Sequence, residues 1–172
     1  MPNDLKLGKL TIRTDDDPCL RRKSTVVKEV GAAERMLISA MLETMYASKG
    51  VGLAAPQVGI NQQIFVMDVG EDPIVVINPQ VLKRSGSQCL EEGCLSLPGQ
   101  VVNVKRPKKI LVHYWDVQGK TVEREFSDLL ARVFLHENDH LLGKLITDYR
   151  GWREKLGLKK ASRKPRHQEK VI

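Results

Sequence analysis

The feature that most constrains the fold is the segment HENDH at residues 136–140. Its two histidines are four residues apart, so on a helix they lie one turn apart on one face, where both imidazoles can reach a single cation. A helix is predicted around this segment, beginning at Ser127 or Asp128, which are both good N-caps, and ending near Leu142, where a glycine follows. Glu137, between the histidines, is placed to act on a metal-bound water rather than to bind the metal. The alternative is an ordinary charged helix turn with two unrelated histidines.

A catalytic metal site of this type usually has three protein ligands and one open position, so a third ligand is needed. Ile146 stands where a metzincin pattern would place another histidine. Cys94 is the leading upstream candidate, because its glycine neighbour and the nearby proline predict an extended segment with an accessible sulfur. A lone cysteine is, however, more often a buried small apolar residue. Acidic alternatives lie downstream, one close to the helix end and two in a basic segment: Asp148, Glu154 and Glu169.

Periodicity elsewhere predicts an α+β fold. Apolar residues on one helical face predict a helix over Ala32–Ser48. Short β-branched or aromatic runs predict strands, and residues 116–120 are typical of a hairpin loop. Because the strands are grouped between two helices, we expect a mostly antiparallel sheet packed around the central histidine-bearing helix. The predicted strands are Ile64–Val69, Ile74–Ile77, Val101–Val104, Ile110–Trp115 and Thr121–Phe126.

Composition and the cysteine count exclude several classes of protein. With 172 residues, of which 41% are hydrophobic and 28% charged, the chain is expected to form one globular domain. No apolar stretch approaches the ~18 residues of a membrane-spanning helix. The amino terminus resembles neither a secretory signal nor a transit peptide. Three cysteines are few and odd in number, which argues against a disulfide framework and favours the reducing cytoplasm.

The net charge of +7 is confined to the end of the chain. Residues 150–172 hold nine Lys or Arg and two Glu, whereas residues 1–149 are neutral overall. We therefore separate a body over residues 1–149 from a basic C-terminal helix or tail over 150–172, with a weak helix signal over Trp152–Lys160. The most basic part, residues 159–166, contains no aromatic residue, which favours attraction to phosphate backbones over base stacking. A solubilising tail without a partner is the alternative.

Three segments, taken together, resemble the signature motifs of the peptide deformylases: GVGLAAPQ at residues 50–57, EGCLS at 92–96 and HENDH at 136–140. Their order and separations are similar, and the resemblance extends over about residues 10–150. It implies that residues 1–149 form the catalytic domain. One departure is Leu135, because the family commonly has glutamine immediately before the first histidine. That change alters the hydrogen bonds available around the metal rather than the ligands themselves.

The resemblance implies roles for individual residues. The implied metal ligands are Cys94, His136 and His140, and the implied general base and acid is Glu137. The implied oxyanion donors are the side chain of Gln57 and the backbone N–H of Leu95. The implied edge along which the substrate peptide lies is Gly50, Val51 and Gly52. Two further residues match the family pattern and flank the cysteine segment, where we expect an ion pair, with a solvated pair of little energetic effect as the alternative: Glu92 and Arg106.

The reaction implied by the resemblance is hydrolysis of the N-formyl group from the formyl-methionine that begins nascent polypeptides. A metal-bound hydroxide would attack the formyl carbon while Glu137 takes a proton and later passes it to the leaving amine. One divalent ion per chain is expected. Fe²⁺ is the implied working ion, and Zn²⁺, Ni²⁺ or Co²⁺ are able to replace it.

Nascent formyl-methionyl peptides and, through the basic tail, the ribosome are the expected partners. No membrane partner is expected, and the oligomeric state stays open. Two other functions are considered: a catalytically silent deformylase-like metal-binding protein, and a ribosome- or RNA-binding protein. The intact Glu137, Gln57 and three ligand residues argue against the first, and the neutral charge of residues 1–149 argues against the second.

Overall fold

The computed structural model describes residues 8–14 and 16–151. The basic tail and the helix predicted over Trp152–Lys160 lie outside these residues. Among the described residues, no helix is long and apolar enough to cross a membrane. The helices are α1 (Ala32–Ala47) and α2 (Asp128–Leu141), and the strands are β1 (Gly52–Ala54), β2 (Ile64–Met67), β3 (Ile74–Ser85), β4 (Gln88–Glu92), β5 (Val102–Arg106), β6 (Lys109–Trp115) and β7 (Thr121–Ser127).

Five strands form one sheet in the order β1-β2-β3-β6-β7, and β4 and β5 form a separate two-stranded hairpin. Every pair of neighbouring strands is antiparallel. The prediction of a mixed fold with a mostly antiparallel sheet and two helices is therefore confirmed. β1 lies at one edge of the sheet and pairs with β2 alone among the described strands.

Strand β3 runs eight residues further than predicted, to Ser85 rather than Ile77. Two register shifts against β6 interrupt the strand, one between Ile77 and Gln80 and the other between Val81 and Lys83. Such bulges break the alternation by which a strand is recognised in a sequence. The second half of β3 is also largely exposed, so it lacks the apolar face that marks a buried strand.

The two helices cover opposite faces of the sheet, and β2 lies between them. Successive side chains of a strand point to opposite faces. Phe65 and Met67 accordingly belong to the apolar cluster that contains Phe134 of α2. Ile64 and Val66 belong to the cluster that contains the apolar face of α1. This arrangement places α2 directly beside β1, where the glycine-rich segment lies.

A third apolar cluster packs the β4–β5 hairpin against segments near the start and near the end of the described chain. Leu20 and Cys94 pack there with Val104 and with Ile146, which follows α2. The chain reaches this position by turning at Gly143, which has a φ of +71°. A Cβ atom at Gly143 would lie 2.4 Å from the carbonyl oxygen of Arg21, so only glycine fits there.

Phe134→Ala should lower the free energy of unfolding by about 3–5 kcal/mol, because it removes a ring from the centre of the core. Phe134 is fully buried, with its ring centroid 5.1 Å from that of Phe65 and 5.7 Å from that of Phe126. Urea unfolding of the metal-free protein measures the loss. The control is Leu129→Ala, on the same helix with 48% of its surface exposed, which should cost about 1 kcal/mol or less. Equal losses in the two variants would contradict this description of the core.

Candidate metal centre and active site

Three side chains with metal-binding atoms converge between α2 and the segment after β4. His136 and His140 lie one turn apart on α2, with ring centroids 5.1 Å apart. Cys94 approaches them from the other side, with its Sγ 3.3 Å from Nε2 of His140. The ligand atoms of the three residues all lie within 4.8 Å of one another. The structure thus brings together the three residues whose metal-ligand role the resemblance implies, in a group that could hold one ion.

The expectation of an accessible sulfur is wrong, because Cys94 is only 2% exposed. Its side chain packs in the cluster that joins the β4–β5 hairpin to the segment after α2. Burial raises the pKa of its thiol to about 12, since a thiolate is poorly solvated there. A thiol in such surroundings is inert unless a cation compensates the thiolate charge.

The environment of His136 leaves one ring nitrogen available for a cation. Burial alone would raise the pKa of Glu92, but hydrogen bonds from His136 and Arg106 outweigh it and lower the pKa to about 2. An ionised carboxylate only accepts hydrogen bonds, so we assign the ring hydrogen to Nδ1 of His136, which lies 3.0 Å from Oε2 of Glu92. Nε2 then carries the lone pair. It is buried without a hydrogen-bond partner among the described residues, which is what a metal ligand requires.

Glu92 is the centre of a buried charge cluster. Arg106 donates to both of its oxygens, with Nε 2.6 Å from Oε1 and Nη2 2.8 Å from Oε2. The ion pair expected between these two residues is therefore present. The remaining amino group of Arg106 donates to Asp139 at 2.9 Å, and the hydroxyl of Tyr149 donates to the same carboxylate oxygen at 2.7 Å.

Arg132 is a member of this cluster that the sequence reasoning missed. It is 1% exposed, and its Nη1 donates to Oε1 of Glu92 and to the carbonyl oxygen of Val104. Its Nη2 donates to the carbonyl oxygen of Gln88 at 3.2 Å. The signal was available, because an arginine four residues before His136 lies on the same helical face, inside an otherwise apolar stretch.

The side chain of Gln57 is held in one orientation. Its Oε1 accepts a hydrogen bond from the backbone N–H of Ala54 at 2.8 Å, which directs Nε2 into the site. Nε2 lies 3.2 Å from Oγ of Ser96 and 3.7 Å from Sγ of Cys94. Leu95, whose backbone N–H is the other implied oxyanion donor, is the residue directly after Cys94. The amide of Gln57 therefore presents its donor beside the candidate metal ligands.

The Glu137 carboxylate is enclosed in the same site without hydrogen bonds. The residue is fully buried, and both of its carboxylate oxygens lack a partner among the described residues. Burial raises its pKa well above the ordinary value for a glutamate. Such a carboxyl group can exchange a proton nearer to neutral pH than an exposed one.

The glycine-rich segment passes along the site as the edge strand β1. The carbonyl oxygen of Val51 accepts a hydrogen bond from the backbone N–H of Asp68 at 2.9 Å. Hydrogen-bonded and non-bonded pairs alternate in antiparallel strands, so the Gly52 backbone groups, opposite Met67, face away from β2. Gly50 directly precedes this edge. Among the described residues, no strand lies beside the backbone groups of Gly52, which face the open edge of the sheet next to Glu137.

The residue before the first histidine and the other two cysteines lie outside the candidate ligand group. Leu135, which replaces the usual glutamine, is 7% exposed and packs in the apolar cluster of α2. Cys19 and Cys89 lie outside the group of three ligand residues: Cys19 is half-buried, with its Sγ 3.4 Å from the carbonyl oxygen of Pro56, and Cys89 is exposed on β4.

Comparison with known proteins finds similar proteins that are named peptide deformylase. The family model described as polypeptide deformylase matches residues 9–155. A peptide deformylase of Alkaliphilus metalliredigens is 55% identical over 137 residues, covering 80% of this chain and 93% of the relative. The crystal structure of peptide deformylase from Thermotoga maritima shares 46% identity with a TM-score of 0.82, covering 84% of this chain and 99% of that one.

A third similar protein was solved with a peptide. The class I type b peptide deformylase of Acinetobacter baumannii, determined with Met-Ala-Ser bound, is 30% identical to this chain. Its TM-score is 0.79, and the match covers 83% of this chain and 98% of that one.

Arg132→Met should lower the free energy of unfolding of the metal-free protein by about 3 kcal/mol, because it removes one partner from a buried ionic cluster. Urea unfolding measures the change. The matched control is Arg124→Met, whose exposed guanidinium lies over the ring of Phe126 at 5.1 Å and should contribute less than about 1 kcal/mol. If both variants lose the same small amount, the Glu92 cluster does not depend on Arg132.

Proposed function

The chain belongs to the peptide deformylase family of metallo-hydrolases, and from this premise we propose that it removes the N-formyl group from the formyl-methionine of nascent polypeptides. The observation that carries the proposal is the buried group of Cys94, His136 and His140, beside a Glu137 carboxylate that no described residue hydrogen-bonds. That combination has the ligands and the proton-transfer group that hydrolysis of an amide requires.

The proposed metal ligands are Cys94, His136 and His140, which would hold one divalent ion and leave a coordination position open. One sulfur and two imidazole ligands suit Fe²⁺, proposed as the working ion, and also Zn²⁺, Ni²⁺ or Co²⁺. Bound there, such an ion supplies an activated water near neutral pH and a positive charge beside the carbonyl to be cleaved. Glu92, steadied by Arg106, keeps the ring of His136 turned so that its Nε2 faces this position.

Glu137 is the proposed general base and then general acid. Its carboxylate takes the proton from the attacking water and passes it to the amine that leaves as the amide bond breaks. The environment suits both steps, because a buried carboxylate without hydrogen bonds is a strong proton acceptor. Its enclosure also excludes bulk water from the proton's path.

The proposed oxyanion donors are the Gln57 side chain and the backbone N–H of Leu95. Negative charge develops on the formyl oxygen as the carbon becomes tetrahedral, and donors fixed in advance stabilise that charge without reorganising. The Ala54 N–H and Ser96 hydroxyl hold the Gln57 amide in place. Gln57 is therefore oriented before any substrate arrives.

The proposed substrate edge is formed by Gly50, Val51 and Gly52. An extended peptide can add to the outward-facing backbone groups of β1 by main-chain hydrogen bonds. The peptide Met-Ala-Ser in the Acinetobacter baumannii structure supports peptide binding at a site of this family. Small residues along the edge suit close approach of a backbone that carries only a formyl cap.

Two features of the proposal concern the setting of the enzyme. Because the proposed substrate is a nascent chain, the reaction is proposed to take place in the cytoplasm. The basic residues 150–172 are proposed to contact the phosphates of ribosomal RNA. The catalytic domain is proposed to be residues 1–149. A catalytically silent protein is the less favoured function, because Glu137, Gln57 and the three ligand residues are all present and gathered in one site.

The central test is hydrolysis of formyl-Met-Ala-Ser by anaerobically prepared protein, with metal analysis of the same sample. The wild-type protein should release formate, and Glu137→Gln should lose about 10²–10⁴-fold in kcat while it keeps one metal ion per chain, because only the proton acceptor is removed. Activity within a few-fold of the wild type would remove Glu137 from the mechanism. A wild-type protein that binds metal but releases no formate would favour the silent protein.

Cys94→Ser should weaken Zn²⁺ binding by more than about 100-fold, beyond the usual effect of changes around the ligands. The exposed Cys89→Ser is the matched control and should bind normally. Because burial holds the Cys94 pKa at about 12, the free thiol is protonated at pH 7, and Zn²⁺ binding should release a proton. Calorimetry in buffers of different ionisation enthalpy counts that proton. Loss of binding in Cys89→Ser instead would overturn the ligand assignment.

A further inference from the structure

Glu137 has no hydrogen bond that explains where its carboxylate lies. Both oxygens are buried and lack a partner among the described residues. A carboxylate that no donor holds is positioned by the shape of its surroundings. A neighbouring residue must therefore have a small enough side chain to leave room for the carboxylate.

The space lies over Gly52 of the edge strand. A Cβ atom built on Gly52 would lie 2.3 Å from Oε1 of Glu137, 2.8 Å from its Cδ and 3.0 Å from its Cγ. The first two separations are shorter than non-bonded atoms tolerate, so the side chain of Glu137 fills the volume that any other residue at position 52 would need. No left-handed φ is recorded at Gly52, so its backbone conformation is not the reason for a glycine.

We propose that Gly52 is a positioning residue for Glu137: its missing side chain admits the carboxylate against the edge strand, at the place where the base must act. This inference rests on the proposed function for its catalytic meaning, although the steric relation stands independently. This positioning role would be additional to the proposed role of Gly52 in the substrate edge. The backbone groups of Gly52 face the open edge of the sheet, and its α-carbon faces the carboxylate of Glu137.

The other glycine of this edge offers a contrast. A Cβ atom on Gly50 would meet Cδ1 of Leu95 at 2.8 Å, which is the far end of a flexible side chain. Leucine can rotate its methyl groups away. Glu137 is fully buried, so its carboxylate has less room to move than the half-buried side chain of Leu95. An alanine at position 52 must therefore displace the carboxylate, whereas an alanine at position 50 displaces a leucine methyl.

The expected catalytic effect follows from the size of the displacement. Relieving the clash moves the carboxylate by on the order of 1 Å, and a misplacement of that size can cost about 100-fold in rate. Gly52→Ala should therefore lower kcat on formyl-Met-Ala-Ser by about 100-fold, because the base is misplaced. It should keep one metal ion per chain, because none of the three proposed ligands lies on β1. A normal kcat with a raised KM alone would mean that Gly52 serves only the substrate edge, and would overturn the proposal.

A stability cycle tests the steric relation without turnover. The urea midpoint of the metal-free protein is measured for the wild type, Gly52→Ala, Glu137→Ala and the double variant. Gly52→Ala should lower the midpoint when Glu137 is present, and should lower it little or not at all when Glu137→Ala has emptied the space. The general effect of Gly→Ala on the unfolded chain is the same in both backgrounds and cancels.

Gly50→Ala is the matched control in the same cycle, and its effect on the midpoint should not depend on residue 137. An equal effect of Gly52→Ala in both backgrounds would overturn the proposal. Because the cycle involves no catalysis, it separates the two ideas. Absence of formate release by the wild type counts against the proposed function, whereas absence of coupling between residues 52 and 137 counts against the positioning role.

Discussion

The buried carboxylate of Glu92 joins the β4–β5 hairpin to helix α2. It ends strand β4, and it is held by Arg106 at the end of β5 and by Arg132 and His136 on α2. A buried carboxylate is costly unless several donors surround it, so these elements cannot separate without exposing an unpaired charge. The orientation of His136 and the approach of Cys94, two residues after Glu92, both follow from this junction.

The buried polar atoms of α2 fall into two sets. Arg132 and Asp139 have their partners within the protein, in the cluster around Glu92 and Arg106. Nε2 of His136, Nδ1 of His140 and both oxygens of Glu137 have none among the described residues, and neither does Nε of Arg132. Buried polar atoms are usually paired, so the unpartnered atoms of residues 136, 137 and 140 mark the part of the helix that could accept an external group. Arg132, His136 and His140 follow one another at four-residue intervals on one face of α2, so the ionic cluster lies directly beside the candidate metal ligands.

The elements that could be predicted from the sequence are those whose structure is determined by residues close together in the chain. Helix α1, helix α2 and the β6–β7 hairpin were predictable because periodicity and turn residues act over neighbouring positions. The second half of β3 was not, because its bulges and exposed charges remove the alternation of a buried strand. The burial of Cys94 and the partners of Arg132 depend on β4, β5 and the segment after α2 packing together, which no local pattern reports. The spacing within HENDH predicted the two histidine ligands and left Cys94 as one candidate among alternatives, and only the resemblance implied the full set of three.

The third apolar cluster has a consequence for the order of folding. It packs Leu20 against Leu145 and Ile146, and Arg21 reaches Asp148 at 2.6 Å across 127 positions of sequence. Contacts of such long separation close late and slow the search for the native state. Cys94 belongs to the same cluster, so its sulfur is enclosed beside the histidines only after residues 145–148 have been synthesised. The candidate ligand group can therefore be completed only when segments far apart in the sequence have come together.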